Sequence, residues 1–101
     1  MKDKALQIIK HYGLLHQLKH FQSEVYELNE AIFDCYHEEN KYYPEIEQQL
    51  KNHIAEEIAD VQVMLDQFKA YYKINREDIR KIMNEKVDRQ LGRMKNENIK
   101  Q

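Results

Sequence analysis

Leu14-Leu-His-Gln-Leu18-Lys-His-Phe21-Gln-Ser-Glu24-Val25-Tyr-Glu27-Leu28-Asn-Glu-Ala-Ile32-Phe-Asp-Cys-Tyr36, residues 14–36, is the stretch that decides the fold. Leu14, Leu18, Phe21, Val25, Leu28, Ile32 and Tyr36 recur in steps of three and four. That is the period of a long helix packed along its length against others. Neither Gly nor Pro interrupts it.

Upstream, Ala5, Leu6, Ile8, Ile9 and Tyr12 give the segment Lys2–Tyr12 a shorter helical pattern that stops at Gly13. Glycine can end a helix in the left-handed region at little steric cost. Downstream, His37-Glu38-Glu39-Asn40-Lys41 reads as a polar break, and Pro44 fits the first turn of a third helix, where its missing N–H is no loss. That helix is expected to reach about residue 72, with Ile46, Leu50, Ile54, Ile58, Val61, Leu65, Phe68 and Tyr72 as its stripe. A break at Lys73-Ile74 precedes Asn75, a suitable N-cap with Asp78 three residues on. A last helix carries Ile79, Ile82, Met83, Val87, Leu91 and Met94. The expectation is an all-α fold, a helical bundle of about four helices forming one domain over residues 1–95. The polar tail, 96–101, is expected to fray.

Composition narrows the function. With 101 residues, only two Gly and one Pro, few turns are available and long helices must share a small core. Chains of this kind commonly finish burying their apolar faces in a homo-oligomer. A formal net charge of −2 gives no broad basic field, so nucleic acid is not an expected partner. Cys35 is the only cysteine, which rules out an intrachain disulfide and a thiol-rich zinc site. No apolar run has the length of a signal-peptide core or a membrane span, so a soluble, cytoplasmic protein without a membrane partner is expected.

The chemistry lies in the acids. Glu24 and Glu27 stand three apart on the second helix, as do Glu57 and Asp60 on the third, so each pair can present two carboxylates to one hard cation. Spacing alone is common in a chain with 18 acidic residues, and Glu27/Glu30 and Glu85/Asp88 share it. Position relative to the core is more telling. Glu24 and Glu27 immediately precede Val25 and Leu28, and Glu57 and Asp60 immediately precede Ile58 and Val61. Each pair thus flanks its stripe with the same rotational offset. In an antiparallel helix pair, related by a local twofold axis, equal offsets bring all four carboxylates to one side. Gathered there, they repel one another unless a cation neutralises them. Oxygen-only ligation favours Mg²⁺, with Mn²⁺ a possible substitute, over zinc or copper. On the last helix, Lys86, Arg89 and Arg93 form one basic stripe suited to phosphate oxygens. Gln17 and His20 share the face of Glu24 and could reach a nucleobase.

The pattern Glu24-x-x-Glu27, a long spacer, Glu57-x-x-Asp60 and a basic last helix resembles the MazG-like all-α nucleotide pyrophosphohydrolases. Residues 17–32 and 53–65 carry the resemblance, with support from 86–93, and it spans roughly residues 14–94. It implies hydrolysis of nucleoside triphosphates between the α and β phosphates, releasing a monophosphate and pyrophosphate. It also implies that Glu24, Glu27, Glu57 and Asp60 hold Mg²⁺, that Lys86, Arg89 and Arg93 meet phosphate, and that a homodimer or homotetramer completes the pocket. Many members have an acid directly before the first metal-binding glutamate, where this chain has Ser23. The number of metal ions and the base that activates water are therefore open.

Two rivals compete. A di-iron bundle needs Glu-x-x-His motifs on two helices, and residues 27 and 60 are Glu and Asp. A non-catalytic helical dimerisation or nucleotide-binding regulatory module would leave the acids merely solvated. It would show no stabilisation by Mg²⁺.

Overall fold

The computed structural model describes residues 2–38 and 44–100, apart from the side chains of 99 and 100. It contains four helices and, among the described residues, no strand: α1 (Lys2–Tyr12), α2 (Leu14–Glu38), α3 (Pro44–Tyr71) and α4 (Arg76–Lys100). Residues 39–41 of the polar break lie outside the described residues, while His37 and Glu38 extend α2 by two positions. No helix among the described residues is long and apolar enough to cross a membrane.

The chain divides into two compact units, Met1–Tyr71 and Tyr72–Gln101. In the first, α1, α2 and α3 pack on one another. Gly13 makes the corner between α1 and α2 at φ +91°. Its N–H donates to the Ile9 carbonyl at 2.8 Å, closing α1, and its own carbonyl accepts from Gln17 N–H at 3.1 Å, opening α2. One residue therefore ends one helix and begins the next, which holds α1 close against its neighbours. Contacts between α2 and α3 run in opposite senses: Gln17 meets Gln67, Phe21 meets Phe68 edge-on, and Glu24 meets Glu57 and Asp60. The two long helices are antiparallel, the arrangement in which equal offsets bring acids of both helices to one side.

The buried line is rotated from the one expected. On α2 the buried residues are Gln17, Glu24 and Ala31; on α3 they are Glu57, Met64, Gln67 and Ala70, with Ala5 and Ile9 contributed by α1. Leu18, Ile32, Ile58 and Leu65, expected in the core, are 39–47 % exposed. Each long helix carries apolar residues over too wide an arc to face two neighbours at once. Small alanines let the backbones approach on the acidic side of that arc, and the outer flank stays open. Glu24 and Glu57 thus sit within the seam between α2 and α3, while Glu27 and Asp60 remain exposed.

In the second unit, Lys73 takes a left-handed φ of 56° at the end of the turn after α3. Asn75 then caps α4: its Oδ1 accepts the Glu77 N–H at 2.8 Å. Asp78, the residue singled out with it, lies in the first turn, where an acid complements the helix dipole. Helix α4 continues through the polar stretch that was expected to fray, reaching Lys100. Residues 96–100 contain neither Gly nor Pro, so nothing there breaks it. Ile79 is half-buried, whereas Ile82, Met83, Val87, Leu91 and Met94 are 46–58 % exposed.

Candidate metal centre in the seam of α2 and α3

Glu24, Glu57 and Asp60 each offer one carboxylate oxygen to a group whose members all lie within 4.8 Å of one another. Two of the three are buried: Glu24 is 9 % and Glu57 8 % exposed, while Asp60 is exposed. Each buried glutamate has an Oε2 shut off from solvent and without a hydrogen-bond partner among the described residues. A buried carboxylate oxygen without donors is costly, since neither water nor a protein dipole replaces its hydration. Two such glutamates, each with an oxygen within 4.8 Å of the other and of Asp60, form an arrangement that a cation would relieve. Burial pushes the Glu24 carboxyl above its ordinary 4.5, Glu27 and Asp60 add to the rise, His20 opposes it, and Glu57 adds again. Oxygen donors only, with spare ligand positions left for water or phosphate, suit magnesium or manganese.

Glu27 is exposed and lies outside the three-oxygen group, yet close enough to act electrostatically on Glu24. His20 Nε2 is 3.2 Å from Glu24 Oε1. His20 thus contacts the cluster itself; the face it shares with Glu24 had suggested reach to a nucleobase. Gln17 is 3 % exposed, and its Nε2 donates to Gln67 Oε1 at 2.8 Å. Its own Oε1 meets His16 Nδ1 at 2.8 Å. Both ends of the Gln17 amide are therefore engaged within the protein. Lys86, Arg89 and Arg93 lie on α4, all exposed, in the second unit.

Two residues escaped the reading of the sequence. His53 stands with its Nε2 3.9 Å from Glu57 Oε1. Gln67, only 2 % exposed, is the amide partner of Gln17 and also donates to Met64 Sδ at 3.6 Å. The signal for His53 was present as its spacing of four from Glu57. Gln67 had none, since its partner is 50 positions away. Comparison with protein-family models, with curated proteins and with solved structures gives no match to this chain.

Proposed function

We propose that the protein is a magnesium-dependent nucleoside triphosphate pyrophosphohydrolase of the MazG-like kind, acting in the cytoplasm as a homodimer or homotetramer. The observation that carries this reading is the convergence of Glu24, Glu57 and Asp60 oxygens within 4.8 Å, with two buried Oε2 atoms lacking partners. Acids placed at such cost in a helical seam are explained by a cation, and a solvated charged face offers no reason for burying them.

In this proposal Glu24, Glu57 and Asp60 hold Mg²⁺, with Glu27 at the edge of the site. Mn²⁺ is an acceptable substitute. Bound there, the ion would polarise the α-phosphate and offset charge on the triphosphate. Glu27, exposed and outside the oxygen group, is the carboxylate best able to accept the proton of the attacking water as general base. Water adds at the α-phosphorus, the bond to the bridging oxygen breaks, and pyrophosphate leaves with the electron pair. By the resemblance, Lys86 and Arg89, with Arg93, would supply positive charge to phosphate oxygens. Gln17, its amide committed to Gln67, forms wall rather than ligand unless substrate displaces that bond.

The test is pyrophosphate release from a panel of ribo- and deoxyribonucleoside triphosphates, with Mg²⁺ and with excess chelator. Metal-dependent release from any member supports the reading. Silence across the panel from folded protein overturns it as stated.

The second reading is a non-catalytic helical dimerisation or nucleotide-binding module. It is favoured by the apolar side chains left open on α2, where Leu15, Leu18, Ile32, Phe33 and Tyr36 are 45–67 % exposed. Such a surface suits a second copy of the chain. Self-association without any rise of melting temperature in Mg²⁺ is what that reading requires.

A further inference from the structure

The two buried glutamates share a neighbour of the same kind. Residues 20–27 and 53–60 follow one pattern, a histidine, then a glutamate four positions on, then an acid after three more: His20, Glu24 and Glu27, and His53, Glu57 and Asp60. Because α2 and α3 run antiparallel, the two copies face each other across the seam in twofold fashion. Of the chain's five histidines, His11, His16 and His37 have Leu15, His20 and Lys41 at the fourth position following. Only His20 and His53 have an acid there, and in both cases it is a glutamate of the buried pair.

On each helix the imidazole approaches one oxygen and leaves the other. His20 Nε2 is 3.2 Å from Glu24 Oε1, His53 Nε2 is 3.9 Å from Glu57 Oε1, and the oxygens without partners are the two Oε2 atoms. Surface stability accounts for this poorly. Exposed pairs at this spacing contribute about 0.3–0.5 kcal/mol, and a cation preceding its acid along the helix is the weaker orientation. Carboxylates that bind metals, by contrast, are commonly held by an outer hydrogen-bond donor that fixes which oxygen faces the ion.

We propose that His20 and His53 are a matched pair of positioning residues, each donating Nε2–H to the Oε1 of its glutamate so that both Oε2 atoms are presented to one divalent cation. This rests on the metal-centre reading above and assigns the histidines a part in it. Neither imidazole is a ligand here. His20 Nε2, at 3.2 Å, stands at the outer limit of hydrogen-bond distance from Glu24 Oε1, and His53 Nε2, at 3.9 Å, must approach Glu57 Oε1 to reach it. Glutamine at either position keeps an N–H donor on a side chain of similar reach, whereas alanine keeps none.

The experiment is equilibrium titration of the full chain with Mn²⁺ alone, following free Mn²⁺ by electron paramagnetic resonance. The set comprises the wild type, His20→Ala, His53→Ala, His20→Gln, His53→Gln and the control Glu57→Gln, with metal-free melting temperatures recorded alongside. Each alanine variant is expected to bind about 10-fold more weakly, within the range of about 10–100-fold for loss of an outer-shell partner. Each glutamine variant is expected to recover most of that loss. A merely structural role would lower the metal-free melting temperature and leave the affinity of the folded protein unchanged. Wild-type affinity in both alanine variants, with binding lost in Glu57→Gln, overturns the positioning role while the metal centre stands. Equal loss in the alanine and glutamine variants also overturns it, because the imidazoles would then be ligands. Absence of Mn²⁺ binding by the wild type overturns the metal centre, and the inference with it.

Discussion

Replacing Glu24 by Gln should make the metal-free protein more stable while removing its response to Mg²⁺. The ligand oxygens of Glu24, Glu57 and Asp60 lie within 4.8 Å of one another, so ionised Glu24 faces two like charges. At that distance each pair repels by about 3.5 kcal/mol for an effective dielectric near 20. Asp60 is exposed, so water screens its share, and Glu24 escapes part of the rest by holding a proton more readily. The amide also brings an N–H donor to its neighbours, so a net gain of about 1–2 kcal/mol is expected. In a domain of this size each kcal/mol corresponds to about 4–8 °C in melting temperature. The pH dependence follows from the raised folded-state pKa. The proton on Glu24 favours the folded state fully below the ordinary 4.5, and that contribution is lost as pH rises through the raised value. Wild type and Glu24→Gln should therefore melt close together near that lower limit and diverge as pH rises to neutrality. Circular-dichroism melts in chelator across this range, repeated with Mg²⁺, make the measurement. A neutral-pH melting temperature for Glu24→Gln at or below wild type in chelator, with the Mg²⁺ increment intact, refutes the reasoning.

Three further outcomes follow from the proposed function and from the fold. Lys86→Ala and Arg89→Ala should each lower kcat/KM for the best triphosphate by about 100-fold while leaving the Mg²⁺-induced rise in melting temperature unaltered, as steady-state kinetics and melts would record. Ile9, fully buried, should cost about 2–5 kcal/mol in denaturant unfolding when cut to alanine. Gly13→Ala meets no atom within 4 Å of the added Cβ, so its cost comes from φ +91° alone and should be about 1–2 kcal/mol by the same measurement.

The helices and their punctuation were legible because they are local. Apolar spacing, Gly13 and the Asn75 cap each act within a few residues, and all appear in the fold where the sequence puts them. Which arc of each long helix turns inward was not legible. Leu18, Ile32, Ile58 and Leu65 are the more apolar choice, and a rule based on transfer from water selects them over Gln17, Glu24 and Glu57. The actual choice depends on how closely three helices approach, which alanines 5, 31 and 70 help set and no single segment declares. The acids were found by their shared offset, and three of them converge. The pairing of Gln17 with Gln67 has no local trace at all. His20 was placed by the face it shares with Glu24, whereas the spacing of four that links His20 to Glu24 and His53 to Glu57 was the better guide.

The thermal behaviour of the first unit follows from the make-up of its interior. Its buried side chains are alanines 5, 31 and 70, Ile9 and Met64, together with Gln17, Glu24, Glu57 and Gln67. Exposing apolar surface raises the heat capacity on unfolding, and exposing polar surface lowers it. Leu14, Phe21, Val25, Leu28, Ile54, Val61 and Phe68 are half-buried around these side chains, so the polar members of the interior lower the increment below that of a wholly apolar core and flatten the stability curve. A flatter curve loses less of its maximum on cooling. Any second copy that covers the open apolar flank would sharpen the curve, so calorimetry at different protein concentrations would report assembly through its curvature.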